Sequence, residues 1–413
     1  MARTTGTADT AGGAGKARGR TRLFYSLAVG LFVVAAAVGL VLTSRPVNLP
    51  PPPDIGFSGP GQGGGSGQAD LGQMWGEPAD ALRLDGIAAQ PGEAVLEATF
   101  RLAWGPGADG LGGAPAYEPP PPGGALPEGS AVPPTALYAD SLGRVALGDR
   151  DRSLLCDPSG QPLRTVPGFA AGFDAADRLY TAGDRLRCFT AMGKQLWEAD
   201  PPGDILGHFD LTLATGPDAT AQTISGWCLV LPGGGAVACF HFPPGMVTAA
   251  QGGQGGGGQA GAPALKYDAD GGLTAFASYD ADGRLLGCGS GPVPAGFVFA
   301  ADGTLLGAPS PAAGGATLTR RFRIDGLEFK LVGGIVSAGQ TITGAFPGDR
   351  FLFLGPATPR GEQPFLLYDA ANGAAWSFAL PAERPAVATD GAGHLYTMWP
   401  TATHLIIEKY RLP

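Results

Sequence analysis

The sequence predicts an all-β fold for the residues that follow position 131. Short segments rich in β-branched and aromatic residues alternate there with turns that carry Asp, Asn and Gly, and no helical periodicity of useful length follows residue 45. Asp and Asn side chains accept hydrogen bonds from backbone amides two residues on, and Gly takes positive φ, so each turn can close a hairpin. Many short strands joined in this way predict an all-β fold.

Residues 23–44 predict a transmembrane helix ahead of this region. The run is uncharged and 22 residues long. At about 1.5 Å of helix rise per residue it would span roughly 33 Å, close to the ~30 Å hydrocarbon core of a bilayer. The basic side chains of residues 1–22 predict a cytoplasmic tail, which makes the chain a single-pass membrane protein with residues 46–413 extracytoplasmic.

A cleavable signal peptide is the alternative reading of the same run, and it would make the protein secreted. Ala35, Ala36 and Ala37 offer a small-residue cleavage site. The apolar part of a signal peptide is typically about 7–15 residues long, and this run is longer. The sequence therefore favours an uncleaved signal anchor.

Two Pro- and Gly-rich stretches, residues 45–70 and 105–130, predict linkers around a short island at residues 71–104. Residues 96–104 of the island alternate between apolar and polar side chains, which is typical of a half-buried strand. An island of this size cannot bury a core by itself. We expect residues 131–413 to fold without it; the alternative is that the island supplies a strand that closes a ring.

The residues after position 131 contain an internal repeat. Asp140–Val145 is followed 34 residues later by Asp174–Leu179, and Cys156 and Cys188 are predicted to fall at the same position of the repeat unit. Related turns recur downstream at residues 267–273, 279–285, 299–305, 368–373 and 389–396.

These segments resemble the blades of NHL and quinoprotein-like β-propellers, which commonly carry Asp-x-x-Gly-x-Leu-Tyr and then a hairpin that ends in Gly-x-x-Leu-Trp. The best matches are Asp174–Tyr180 with Gly193–Trp197, and Asp390–Tyr396; Asp177 stands where Gly is usual. The resemblance implies a β-propeller domain at residues 131–413. At roughly 40 residues a blade, it would hold about seven four-stranded blades, and six or eight also fit.

The charge balance excludes one class of partner. The chain has 27 Lys+Arg and 36 Asp+Glu; positions 1–45 hold 6 basic and 1 acidic residue, so residues 46–413 hold 21 and 35, a net charge of −14. A surface of that sign repels phosphate backbones. No nucleic-acid partner is therefore expected.

No motif predicts a catalytic, cofactor or metal site. The turn at residues 268–272 offers carboxylates at only two of the positions that an EF-hand loop needs, so turn closure accounts for it better than calcium binding. The four histidines lack metal-ligand spacing, and His394 is predicted to be structural. Residues 287–291 lack the order of a nucleophile elbow and predict a loop.

The resemblance supplies two further tests of an enzymatic role. Gluconolactonase-like propellers hold a divalent metal with Glu, Asn and Asp side chains, but this chain has only Asn48 and Asn372. Quinoprotein dehydrogenases use a vicinal disulfide or a tryptophan platform, and no Cys-Cys pair occurs here. The resemblance thus implies no cofactor.

A disulfide between Cys228 and Cys239 is predicted from hairpin geometry. If Leu231 lies opposite Ala236 around residues 232–235, the two cysteines lie directly opposite each other. Opposed Cβ atoms are about 4.5–5.5 Å apart, slightly more than a disulfide prefers. Two buried free thiols are the alternative.

Together these observations predict a membrane-anchored, extracytoplasmic β-propeller. Its expected role is that of a binding or scaffold module whose propeller face takes a protein or cell-envelope ligand, and a non-enzymatic role is favoured. The alternative is a propeller hydrolase or lyase with a carboxylate/His site in the central channel. A histidine that lies with carboxylates at the channel would favour the enzyme.

Overall fold

The computed structural model describes residue 78 and residues 80–413, except for 85, 108, 184, 214–224, 250–264, 268–270, 292–297 and 301. The predicted tail (1–22), anchor (23–44), first linker (45–70) and calcium-like turn (268–270) lie outside the described residues. Within the described part of the chain, no helix has both the length and the hydrophobicity needed to cross a bilayer.

The N-terminal segment supplies four strands. They are β1 (Ala81–Arg83), β2 (Gln90–Pro91), β3 (Val95–Gly105) and β4 (Leu111–Gly112).

The next part of the chain forms three sheets, which we call blades 1 to 3. Blade 1 contains β5 (Ala136–Ala139), β6 (Val145–Asp149), β7 (Arg152–Cys156) and β8 (Pro162–Pro167). Blade 2 contains β9 (Phe169–Phe173), β10 (Leu179–Ala182), β11 (Leu186–Phe189) and β12 (Gln195–Ala199). Helix α1 (Pro201–His208) and β13 (Leu211–Leu213) follow. Blade 3 contains β14 (Ser225–Val230), β15 (Ala236–Phe242), β17 (Leu273–Tyr279) and β18 (Leu285–Ser290), with β16 (Val247–Ala249) inserted.

Three more sheets complete the set. Blade 4 contains β19 (Val298–Phe299), β20 (Leu305–Pro311), a 3-10 turn (Ala313–Gly315), β21 (Thr317–Asp325) and β22 (Glu328–Ser337). Blade 5 contains β23 (Thr341–Phe346), β24 (Arg350–Leu354), β25 (Glu362–Asp369) and β26 (Ala374–Pro381). Blade 6 contains β27 (Ala386–Thr389), β28 (His394–Pro400) and β29 (His404–Arg411).

The N-terminal segment completes the ring. Strand β3 pairs antiparallel with β29 and is the fourth strand of blade 6, so the first and last parts of the described chain meet in one sheet. Strands β1 and β2 add in parallel to the outer edges of blades 4 and 5. The structure thus agrees with the alternative in which the island closes the ring.

A cluster of buried apolar side chains lies at every junction between neighbouring blades. The junction of blades 6 and 1 buries Phe100, Leu102 and Trp104 of β3 against Leu137 and Leu147. Each of the other five junctions has a cluster of its own. Burial of apolar surface is the dominant favourable term in folding, so these junctions hold the blades in a closed ring.

The described residues form six blades, and the predicted number of seven is wrong. Seven blades would require residues 131–413 to divide evenly into units of about 40 residues. Two insertions break that regularity: α1 with β13 precedes blade 3, and β16 lies inside it. Strands β13 and β16 pair with each other outside the blades, so this length of chain adds no blade.

The two ends of the ring differ. In an antiparallel sheet the first and third turns of a blade lie at one end, and the second turn and the link to the next blade lie at the other. We call these ends the turn face and the insertion face. The turn face carries the Asp and Gly turns, and the insertion face carries α1, β13 and β16.

Candidate functional site

Buried aspartates close the first turns of blades 1, 2 and 6 on the turn face. Oδ1 of Asp174 accepts hydrogen bonds from the backbone N–H groups of Ala176 and Arg178, both at 2.9 Å. Asp140 and Asp390 make the same pair of bonds two and four residues on. The predicted turn chemistry is therefore confirmed at these three positions.

Asp177 occupies the position in blade 2 at which the repeat usually has Gly, and it adopts the conformation that Gly would adopt. Its φ is 57°, the left-handed conformation that Gly usually supplies and that Asp tolerates. Its carboxylate accepts hydrogen bonds from the backbone N–H of Ser141 at 2.9 Å and from the Ser141 hydroxyl at 2.7 Å. The Asp177 side chain thus joins the first turns of blades 1 and 2.

Tyr180 joins blades 2 and 3. Its hydroxyl donates to Asp174 Oδ2 at 3.1 Å and accepts from the backbone N–H of Gly235 at 2.8 Å. Burial raises the pKa of Tyr180 above its ordinary value, so the hydroxyl keeps its proton. The tyrosine of the repeat motif is therefore a structural link between the two blades.

His394 lies between two carboxylates. Nδ1 is 2.8 Å from Asp390 Oδ2, and Nε2 is 3.2 Å from Glu97 Oε2 on β3. The side chain of Arg178 contacts Asp174 in the same way, four residues after the turn aspartate. His394 thus occupies the position that Arg178 has in blade 2, and it also ties the closing strand to blade 6.

The innermost strands of the described blades contain no ionisable side chain except those of Tyr138 and Cys228. Strands β5, β9, β14, β19, β23 and β27 each pair on one side only, so their free edges face the axis of the ring. None of them contains Asp, Glu, His, Lys or Arg. Burial raises the pKa of Tyr138 to about 12 and that of Cys228 to about 12. In the described part of the chain, no group of three His, Cys, Asp or Glu residues is arranged to hold a metal ion.

The predicted register of the Cys228 hairpin is wrong by one residue. Val230 lies opposite Ala236, so the turn has five residues and Cys228 faces Ala238, while Cys239 faces Trp227. Neighbouring positions along a strand point to opposite sides of the sheet, and Cys239 packs between blades 3 and 4. Both cysteines are free thiols in the structure. The geometry that suggested a disulfide is therefore not present.

Cys156 and Cys188 do not share a repeat position. Cys156 pairs with Val145. The residue of blade 2 that corresponds to Val145 is Leu179, but Cys188 pairs with the next residue, Tyr180. Cys156 is buried between blades 6 and 1, and Cys188 between blades 2 and 3. The two thiols thus lie at different junctions, and burial raises the pKa of Cys156 to about 12.

A cleft of about 140 Å³ separates blades 4 and 5 near the turn face. Arg321 lies in its wall, with Nη2 2.8 Å from Asp302 Oδ2 and 3.6 Å from Asp349 Oδ1. Its Nε donates to the Thr304 hydroxyl at 2.6 Å. The Arg321 guanidinium thus contacts carboxylates of both blades and joins blade 4 to blade 5.

Exposed apolar side chains concentrate near the turn face. Eight of the ten large apolar residues that are exposed in the described ranges lie in its turns or at the adjoining ends of outer strands. Four belong to blades 1 and 2, and we call them the apolar rim: Leu142, Leu163, Met192 and Leu196.

The repeat itself builds the apolar rim. Gly160 and Gly193 take positive φ in the third turns of blades 1 and 2, and Leu163 and Leu196 each follow three residues later. The Gly193 turn packs against Arg164 and Val166 of β8. The turns of the two blades are therefore neighbours, and Leu142 and Met192 protrude with 63% and 60% of their surface exposed.

Two basic side chains accompany the apolar rim. Arg164 and Lys194 are exposed, and within the described residues neither forms an ion pair. Glu198 on the same blade contacts Arg187 and Arg185 at 3.4 Å and 4.0 Å instead. The rim thus combines apolar surface with free positive charge on a chain whose net charge is −9.

The fold defines the class of the protein: it is a β-propeller, with a resemblance to other propellers at the level of the repeat. No protein-family model matches the sequence. No curated protein matches it either.

Solved β-propellers are similar to the chain at low identity. A gluconolactonase from Xanthomonas campestris has 15% identity and a TM-score of 0.33, over 67% of this chain and 85% of that one. The propeller domain of the Trilobed protease from Pyrococcus furiosus has 8% identity and a TM-score of 0.34, over 67% and 97%. The Pan2 WD40 domain of Neurospora crassa has 8% identity and a TM-score of 0.32, over 68% and 89%.

Proposed function

We propose that the protein is a membrane-anchored, extracytoplasmic binding module that docks a protein partner on its apolar rim. The observation that carries this function is the presence of four exposed apolar side chains near the turn face of the neighbouring blades 1 and 2, in their turns and outer strands. The uncharged run at residues 23–44 and the basic residues before it support the anchor and the orientation.

Clustering distinguishes the rim from ordinary surface. Single exposed apolar side chains are common on soluble proteins, whereas contiguous apolar patches mark interaction sites. Full burial of one Leu or Met side chain contributes about 1.5–3 kcal/mol. Burial of the four rim side chains in one interface is thus a substantial driving force for association.

The charges of the rim support an acidic partner. Arg164 and Lys194 favour a protein surface whose apolar centre is flanked by carboxylates, because complementary charge speeds encounter and disfavours wrong partners. A rim charge is expected to change the association rate and its salt dependence more than the final affinity.

Photocrosslinking in intact cells tests the proposal. A benzophenone amino acid replaces Leu163, Met192 or Leu196 in the full chain, and Tyr267 on the insertion face serves as the matched control because it is 53% exposed. Discrete adducts should form at the rim positions and not at position 267. Lys194→Glu should lower the yield at position 192 several-fold if the partner is acidic.

Equal adducts at position 267 and the rim would contradict the proposal, as would an absence of adducts at all three rim positions. An unchanged yield with Lys194→Glu would contradict the acidic character of the partner while leaving the location of the surface intact.

A further inference from the structure

A proline-rich loop, residues 118–130, stands on the insertion face beside the junction of blades 6 and 1. The residue before it, Tyr117, is buried, and its ring lies 6.1 Å from that of Trp104 on β3. The backbone N–H of Tyr117 donates to the carbonyl of Ala402, in the second turn of blade 6, at 3.1 Å. The loop therefore leaves the ring from a fixed point.

Hydrogen bonds also close the base of the loop. The backbone N–H of Glu118 donates to the Ser130 hydroxyl at 2.7 Å. The N–H of Ala131 donates to the carbonyl of Ala116 at 2.6 Å, and Ala131 is fully buried. Leu126, near the middle of the loop, packs against the same buried cluster. The ring thus holds the loop at both ends and at one point between them.

Four consecutive prolines, residues 119–122, restrict the backbone of this loop. Proline holds its own φ at about −65° and confines the residue before it to the β or polyproline II region. Residues 118–121 each precede a proline, and they lie outside the helices and strands. We call residues 118–122 the proline ridge. Its backbone is that of a polyproline II helix, with about three residues per turn and a rise of about 3.1 Å per residue.

A tight turn ends the proline ridge. The N–H of Gly124 donates to the carbonyl of Pro121 at 2.8 Å, and Gly123 has a φ of 73°. With Pro122 in the second position and Gly123 in the third, this is the pattern of a type II turn. A Cβ atom on Gly124 would lie 2.5 Å from Pro121 Cγ, so the turn packs directly against the ridge. Both ends of the ridge are therefore fixed.

The proline ridge presents two of its three edges to solvent. At about three residues per turn, Pro119 and Pro122 lie on one edge, about 9 Å apart, and Glu118 and Pro121 lie on another. All four are exposed, whereas Pro120, on the third edge, is half-buried. The ridge thus rests on the domain along one edge and leaves a proline ring one turn from the next on an open edge.

We propose that the proline ridge docks in an aromatic-lined groove of a second protein, with the rings of Pro119 and Pro122 in neighbouring pockets. Polyproline II segments with prolines at every third residue fit grooves of this kind. The ridge is held in that conformation before it binds, so docking costs little conformational entropy.

The charges of the loop indicate a basic side chain beside that groove. Glu118 and Glu128 are exposed, and within the described residues neither forms an ion pair. Complementary charge on the partner speeds encounter and disfavours wrong partners. This docking does not rest on the proposed function, because the ridge lies on the insertion face and selects a basic partner, whereas the apolar rim lies near the turn face and selects an acidic one.

Photocrosslinking in permeabilised cells tests the ridge. The full chain carries a benzophenone amino acid at Ala125, which is exposed beside the ridge, and the matched control carries it at Tyr267, which is exposed on the same face. A discrete adduct with another protein should form at position 125 and not at position 267. A synthetic peptide of residues 116–126 should abolish that adduct, whereas the same peptide with Pro119→Ala and Pro122→Ala should leave it in place.

Variants of the full chain separate docking from loop stiffness. Pro119→Ala combined with Pro122→Ala should lower the yield at position 125 about tenfold, and Pro115→Ala, at an exposed proline outside the ridge, should leave it within about twofold. Glu118→Lys keeps the backbone bond to Ser130 and should lower the yield several-fold. Mass spectrometry of the adduct should place the crosslink beside Trp, Tyr or Phe residues of the partner.

Several outcomes would overturn the proposal. They are the absence of an adduct at position 125, an equal adduct at position 267, and an adduct that the unmodified peptide does not displace. An adduct that joins two copies of this chain would assign the ridge to self-association. An unchanged yield with Glu118→Lys would contradict the basic character of the partner. Loss of the adducts at the apolar rim alone would contradict the proposed function and leave the ridge intact.

Discussion

Replacement of Phe100 by alanine should weaken the closure of the ring. Phe100 lies on β3, is 3% exposed and packs at the junction of blades 6 and 1 with Leu137 and Tyr396. Its ring also lies against the Gly160 turn of blade 1. Phe→Ala in a core typically costs about 3–5 kcal/mol, and here the cost falls on the contact between the first and last parts of the ring.

Urea unfolding followed by circular dichroism measures this cost. Thr99→Ala is the matched control, because Thr99 is the neighbouring residue on the same strand and its side chain is exposed. A surface change of that kind is usually within about 0.5 kcal/mol of wild type. A loss below about 1 kcal/mol for Phe100→Ala would refute the reasoning, because a typical domain stability is about 5–15 kcal/mol and a true closing contact must be a visible part of it.

Three further predictions follow from the buried polar groups. Tyr180→Phe should cost about 1–3 kcal/mol in the same urea assay, because the N–H of Gly235 loses its acceptor; no loss would contradict the link between blades 2 and 3. Burial raises the pKa of Cys156 and of Tyr138 to about 12, so the folded state holds these protons more tightly than the unfolded state. Stability should therefore be full below about pH 9 and fall as the pH rises towards 12, and a midpoint that does not change from pH 8 to pH 11 would contradict the burial. Peptide mapping without reductant should find Cys228 and Cys239 unlinked, and a linked pair would contradict the observed register.

Local turn chemistry was the most predictable part of the structure. Asp174 and Asp390 accept the amide hydrogen bonds that their spacing indicates, and Asp177 adopts the left-handed conformation of the Gly it replaces. These features depend on a few consecutive residues. An all-β propeller could therefore be predicted from the chain alone.

The number of blades and the strand registers depend on more distant residues. The glycines Gly234 and Gly235 both take a φ of 92° and lengthen the turn after β14 to five residues, which shifts Cys239 by one position. The pairing of β13 with β16 likewise joins segments that sequence spacing would count as part of the regular repeat. A one-residue change of register reverses the side of the sheet on which a side chain lies, so sequence spacing was a poor guide here.

The apolar rim could not be predicted, although its residues are in the motif. The leucine that follows the turn Gly by three residues is visible in the repeat as Leu163 and Leu196. Whether such a leucine is covered depends on what packs beside the outer strand. Blades 4 and 5 have β1 and β2 on their outer edges, whereas no described strand pairs with the outer edges of blades 1 and 2.

Strand β3 closes the ring, and unfolding of residues 131–413 tests that closure most directly. This fragment lacks β3, so Met398, Leu405 and Ile407 of blade 6 lose their cover. It should bind a hydrophobic dye and unfold without a cooperative transition, whereas residues 78–413 should unfold cooperatively. A cooperative transition of residues 131–413 at the midpoint of the longer chain would contradict the closed ring.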